Sequence, residues 1–309
     1  MELQGALIID KPAGLTSHDV VERVRRALRT RRVGHAGTLD PFATGVLVVC
    51  VGYATRLNQF LVGLDKEYTA TIRFGYATDT HDSTGKPVTP LLSSKTLKGE
   101  DIASALLEFT GPQLQTPPMY SAKRIAGERL YRAAREGREL ERPASPITVY
   151  SLSLVDEPGA IVDNADGTKD VVIRVHCSSG TYVRRLAHDI GARLELGAHL
   201  NALRRESVGP HRLEQSVTLD EIEHLEQPDR ARAFLLSPAD TIRHMPRIEL
   251  SEEEVIRIRN GRELAFDQSR IRLMGDGLVG LCDQKGDLQA VGQFTAGLSL
   301  VKPRMVLAL

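Results

Sequence analysis

Residues 34–41 read Gly-His-Ala-Gly-Thr-Leu-Asp-Pro, which sets one carboxylate, Asp40, between a basic run and an apolar one. Aspartate directly before proline is a familiar helix start, with Asp40 at the N-cap and Pro41 at the first helical position. Backbone N–H groups at such a start would keep the carboxylate ionised. An ionised carboxylate is also what a nucleophile or a general base needs. The local sequence is compatible with both readings.

Other chemistries find no support. The histidines His18, His35, His81, His176, His188 and His199 are scattered, with no H-E-x-x-H spacing. The segment around Asp40 lacks the lysine and serine of a phosphate-binding P-loop, and no G-x-G-x-x-G fingerprint occurs. The three cysteines, Cys50, Cys177 and Cys282, lie far apart without a C-x-x-C pair. They suit a reducing, cytoplasmic setting better than a disulfide framework or a zinc site. The expectation is chemistry without a metal or organic cofactor, or simple binding.

Charge adds a partner. Lys plus Arg and Asp plus Glu are 40 each, so the net charge is zero, but the basic residues cluster. From Arg23 the chain reads R-V-R-R-A-L-R-T-R-R, arginines recur from Lys123 to Arg142, and Arg184, Arg185, Arg193, Arg204, Arg205 and Arg212 follow. Acids gather in Leu219–Asp229. A basic face on a neutral protein fits a phosphate backbone, although solvated helix faces would give the same pattern. Beside such a face, His35, in a glycine-flanked turn, is either structural or touches a base or phosphate. Tyr68 is either a core tyrosine or an aromatic floor under an extruded base. Arg184 is either a surface cation or a fork for a carboxylate.

The positioning elements are legible in part. Ala6–Lys11 reads as a strand, and Thr16 or Ser17 caps an amphipathic helix carrying Val20, Val21, Val24 and Leu28. The valine-rich run from Gly45 is of strand length, too short for a membrane span. The N-terminus lacks the layout of a signal peptide. Lys66–Gly75 alternates as a half-buried strand, 76–88 is a polar loop, and 99–109 is a helix. Residues 127–137 read as a basic helix closed by Gly137. Strands follow over 147–157 and 169–180, flanking a hairpin excursion, and 180–194 is a helix beginning near a glycine turn. Residues 196–209 read as a second short helix, and two more helices fall within 221–237. After Pro246 come a short helix and small β runs, Ile271–Gly275 among them, which suggest a small β-barrel of about 60 residues.

The motifs together carry more than any one of them. Gly34–Leu57 closely resembles the central motif of the TruB family, the bacterial tRNA pseudouridine synthases that modify uridine 55. Asp10–Val21 resembles the family's K-P-x-G-x-T-S motif, and Asp65–Gly75 its K-x-Y segment. Thr116–Gly137 resembles its P-P-x-Y-S-A segment. Ser178–Gly191 and Leu196–Arg205 resemble two later motifs, so the resemblance spans nearly the whole chain. It implies an α+β fold with a mixed, largely antiparallel β-sheet and flanking helices, plus a small C-terminal PUA-like β-barrel. It divides the chain into 1–245, catalytic, and 246–309, RNA-binding. By the same resemblance Asp40 is the catalytic aspartate, Tyr68 stacks on the target base, and Arg184 orients Asp40. Leu203 packs in the pocket, His35 lies near the flipped nucleotide, and Lys11, Pro12 and Ser17 support the site. Lys123-Arg124 replaces a small residue followed by lysine, which keeps the positive charge. The implied substrate is the T-arm stem-loop of tRNA, bound by a cytoplasmic monomer with no cofactor, membrane or obligatory protein partner. Two alternatives stay open: a tRNA-folding chaperone with dispensable catalysis, and a guide-RNA-dependent relative.

Overall fold

Two β-sheets organise the chain in a computed structural model that describes residues 2–121, 124–125, 128–129, 136, 138, 140–266 and 275–307. Lys123, most of the basic helix expected over 127–137 and most of the strand expected over 271–275 lie outside the described residues.

The first sheet contains β1 (Gly5–Lys11), β2 (Val33–Ala36), β3 (Thr44–Val51), β4 (Lys66–Phe74) and β5 (Gly111–Gln115). After a separate two-stranded hairpin, β6 (Arg124–Ile125) and β7 (Glu128–Arg129), it continues with β8 (Ser145–Leu154), β9 (Ile161–Asp163) and β10 (Lys169–Cys177). Then come β11 (Ala198–Val208), β12 (His211–Arg212) and β13 (Val217–Thr218). The order is β13-β1-β3-β11-β4-β10-β8-β5, with β2 on β3, β9 on β10 and β12 on β11. Within this sheet, among the described residues, β1–β13 and β3–β11 are the strand pairs that run parallel. The α+β class and the mixed, largely antiparallel sheet are as expected.

The sequence explains the layers. In β3 every residue from Gly45 to Val51 is buried, because both faces are covered. On one face the helix Ser17–Ala27 sets Val20, Val21 and Val24 against Leu7, Ile9, Leu47 and Val49. Thr16 caps it, its Oγ1 accepting from Asp19 N at 3.1 Å. The opposite face, Ile8, Val46 and Val48, packs with Leu288, Val291 and Met305 of the C-terminal sheet. Along β4, by contrast, Lys66, Tyr68, Ala70, Ile72 and Phe74 alternate inward. The helix Val183–Arg193 sets Val183, Leu186, Ala187 and Ile190 in the same core cluster.

Three expectations need correction. Residues 198–208, expected to be helical, form β11, at the middle of the sheet. Bulges at Asn201 and Glu206 break its alternation, so its sheet-facing residues fall at 198, 200, 203, 205 and 208 and mimic a longer period. His35 lies on β2 opposite Val49, not in a turn. The C-terminal β-barrel is an open, curled sheet: β14 (Arg247–Glu249), β15 (Leu264–Ala265), β16 (Gly277–Cys282), β17 (Leu288–Thr295) and β18 (Leu300–Val306), ordered β14-β16-β17-β18-β15. Its edge strands are three and two residues long and do not pair with each other, so the sheet does not close. Among the described residues no helix is long and apolar enough to cross a membrane.

Candidate active site

Asp40 is not a helix cap. No helix follows it: Ala43 N closes a single turn on Asp40 O at 3.1 Å and β3 begins at Thr44, while the backbone on both sides of Asp40 is held from elsewhere. Arg205 donates from Nη2 to Gly37 O at 3.2 Å and from Nη1 to Thr38 O at 3.4 Å. The Ser17 hydroxyl donates to Leu39 O at 3.1 Å and accepts from Leu39 N at 2.9 Å. Pro41 O accepts from Lys11 Nζ at 3.1 Å and from Gly14 N at 2.8 Å. Asp40 thus projects from a loop fixed on both sides.

Lys11 completes its donor set on Pro12 O at 2.9 Å and Leu15 O at 2.8 Å. Enclosure pushes its ammonium down to about 8, with Asp40 opposing. Gly45 lets β3 reach this region. Its φ is +101°, and a Cβ there would fall onto the backbone of Arg205, its partner in the parallel pairing of β3 with β11.

The carboxylate meets a buried guanidinium. Arg184 Nε lies 2.7 Å from Asp40 Oδ2, off the hydrogen-bond axis, and Nη2 donates to Oδ1 at 3.2 Å. Arg184 also donates to Tyr120 O at 2.9 Å, to Thr80 O at 3.2 Å and to Asp82 Oδ2 at 3.4 Å. The fork is therefore fixed by three groups besides the one it serves. Asp82 is itself held by the Thr80 hydroxyl at 2.8 Å and by Thr84 N at 3.0 Å. Asp40 keeps 32% of its side chain exposed and Arg184 only 4%. Asp40 is surrounded by protein yet open to the cavity. Burial pushes its carboxyl above the usual aspartate value, Arg184 pulls it down, and Asp82 adds to the upward push.

The cavity measures about 300 Å³, and Asp40, Lys66, Tyr68, Tyr182, Arg184, Leu203 and Arg205 are among its lining residues. That volume is at the small end for ligand pockets, enough for one flat ring. Tyr68 and Leu203 come from β4 and β11, where Tyr68 sits opposite Arg205 and Leu203 opposite Ala70. Burial pushes the Tyr68 phenol upward and Arg205 opposes it. Lys66 Nζ donates to Val62 O at 2.7 Å and also to Leu64 O, and its ammonium is pushed down to about 8 by burial.

Of the residues singled out in the sequence, Asp40, Tyr68, Arg184 and Leu203 line one cavity, while Lys11 and His35 do not. Lys11 acts from behind, through Pro41. His35 is half-buried, its imidazole pushed down by burial and then by Arg205. Asp82, Lys66 and Arg205 were missed as site residues. Asp82 sits in a loop whose Asp-Ser-Thr-Gly run signals only a turn, and Arg205 is one of several arginines on its segment.

Residues 25–183 match the family model described as TruB family pseudouridylate synthase, N-terminal domain. Residues 184–242 match that of the tRNA pseudouridylate synthase B C-terminal domain. The tRNA pseudouridine synthase B of Saccharophagus degradans is 41% identical across 98% of this chain and 96% of its own length. The chain belongs to the TruB family of pseudouridylate synthases. Another TruB relative, tRNA pseudouridine synthase B of Streptomyces coelicolor, is 48% identical over 71% of this chain and 72% of that protein. Among solved structures, one from a Cbf5-Nop10-Gar1 complex superposes with a TM-score of 0.73 and 25% identity, covering 98% of this chain and 85% of that one. The TruB fold thus extends over nearly all of this chain.

Proposed function

We propose that this chain isomerises uridine 55 in the T-loop of tRNA to pseudouridine. The observation that carries the reading is the Asp40–Arg184 pair at the wall of a ring-sized cavity, in a chain of the TruB family.

The reaction breaks the N1–C1′ bond, turns the uracil and joins C5 to C1′. The C5 proton is then lost and N1 gains one, so composition and oxidation state are conserved. No metal or organic cofactor is called for. Asp40 either attacks C1′ or removes the C2′ proton, and both routes require the carboxylate. Arg184 keeps it ionised and aimed against the upward push of burial. The Tyr68 ring stacks on the flat base, and Leu203 closes the pocket beside it. The target uridine must leave its stack, at a cost of a few kcal/mol that binding in the cavity offsets. His35 lies outside the cavity, and this reading has it help rearrange the tRNA loop near the flipped nucleotide.

The same reading takes residues 1–245 as the catalytic unit and 246–309 as a further RNA-contacting unit of PUA-like ancestry. It has the protein acting as a cytoplasmic monomer, with arginine-rich faces on the phosphates of the T-arm. The test is pseudouridine mapping at single-nucleotide resolution on an unmodified tRNA transcript, beside D40N. Conversion at uridine 55 by the native protein alone is expected. Conversion by D40N would remove Asp40 from its role. Binding without conversion by the native protein would favour the chaperone reading, and conversion only with an added guide RNA the guided one.

A further inference from the structure

Behind Arg184 lies a second contact between the same two elements. His188, one turn beyond Arg184 on the helix Val183–Arg193, stacks on His81 with ring centroids 4.1 Å apart and planes 14° apart. His81 immediately precedes Asp82, and its φ is +63°, a conformation that a non-glycine residue adopts only when its surroundings hold it. Its backbone is pinned on both sides, with N donating to Thr78 O at 3.2 Å and O accepting from Leu200 N at 3.0 Å. The Nδ1 atoms of both rings are enclosed with no hydrogen-bond partner among the described residues.

We propose that the His81–His188 stack is a positioning clamp, which works only with both rings neutral and holds the Thr78–Thr84 loop against the helix so that Thr80 O and Asp82 fix Arg184 on Asp40. This rests on the proposed activity for its kinetic readout. The geometry states the mechanism. Arg184 takes two of its anchors, Thr80 O and Asp82, from the loop that His81 ties down. A proton on either ring would put a cation face to face with its neighbour and close to further positive charge. Facing His81 are His188, Arg185, Arg184 and Arg142, and facing His188 are Arg185 and Asp189. Of these groups Asp189 favours a proton, and it is already paired with Arg185 at 2.8 Å; Asp82, next to His81 in the chain, is turned to Arg184.

Packing pushes His81 down to about 3 and His188 below its usual value. A lowered value in the closed state means that the open state binds more protons. The clamp is therefore at full strength above the ordinary histidine value, about 6.5, and weakens as pH falls below it.

The experiment uses the whole chain and a tRNA transcript. H188A should lower kcat about tenfold with KM within about twofold, because alignment is lost rather than binding. H188F, which keeps a flat ring without a titrating proton, should recover most of that loss at about pH 7.5, and should lose less activity than the native protein between about pH 7 and pH 5. H188K, a fixed cation, should be no better than H188A at any pH. Native kcat in H188A and H188K, or an acid loss in H188F equal to that of the native protein, would overturn the clamp. A carbon-13 NMR titration of the native imidazoles reads the same idea without activity. His81 should titrate far below its usual value, and midpoints near 6.5 for both rings would overturn it. A native protein that leaves uridine untouched counts against the proposed activity, and the titration then decides the clamp by itself.

Discussion

The sheet around the cavity and the C-terminal sheet draw on similar valine- and leucine-rich strands, but they bury different things. Around the cavity, Lys11, Lys66, Asp82, Arg184 and Arg205 are all under 9% exposed. In the C-terminal segment, the one buried polar or charged side chain among the described residues is Gln289, held by Arg259 at 2.8 Å and by Asp283 at 2.8 Å. Each enclosed ion carries a desolvation penalty of several kcal/mol unless its partners are well placed. The first region accepts that penalty five times within one neighbourhood and satisfies most of it with backbone carbonyls. Such a concentration marks where geometry serves chemistry rather than stability, since a hydrophobic filling would fold as well or better. The C-terminal sheet shows that ordinary filling.

Four substitutions break or sharpen this contrast. The largest effect belongs to Asp40→Asn, which should lower single-turnover pseudouridine formation by about 10⁴-fold, while urea denaturation shows the chain still folded. Arg205→Met comes next. It strands Gly37 O, Thr38 O and Val46 O, the last bonded at 2.7 Å, and should cost about 3 kcal/mol in urea unfolding. Arg184→Lys should follow, at about 10²-fold in kcat, because one ammonium cannot span Asp40, Asp82 and two carbonyls. It should also move the acid limb. Burial favours the protonated form of Asp40, so activity is lost as pH falls through a value above the usual 3.8. Weakening the opposing cation should raise that midpoint further, as a kcat–pH profile would show. Gln289→Leu should give the smallest effect, about 1 kcal/mol or less, read as a small change in Tm. A larger loss there than at Arg205 would invert the comparison.

What the sequence made legible follows from range. The helix Ser17–Ala27 and strands β1, β3, β4, β8 and β10 declare themselves because their burial is periodic or continuous over a short window. Asp40 stood out locally, but its surroundings did not. The groups that fix its loop come from 22 to 168 positions away, so a local reading turns Asp-Pro into a helix start where the chain makes one turn and enters β3. Tyr68, Arg184 and Leu203 had no local mark that separated site from core, and only the family resemblance brought them together. Arg205 and Asp82 show the same limit: an arginine among arginines and an aspartate in a polar loop acquire meaning only from what the fold sets against them. The open C-terminal sheet was misjudged because short glycine-separated strands do not reveal whether the two ends meet.

The two bulges of β11 also govern how this chain can vary in length. Asn201 and Glu206 are each supernumerary to the pairing with β4. Loss of either residue leaves Leu203 opposite Ala70 and Arg205 opposite Tyr68, so a shortened strand still presents the same face to the cavity. Loss of Arg204, between them, has no such slack. It slips Arg205 by one place against Tyr68 and turns the guanidinium away from the loop it holds. Within six residues of one strand, the chain therefore carries two positions that tolerate a deletion and a short stretch between them that does not.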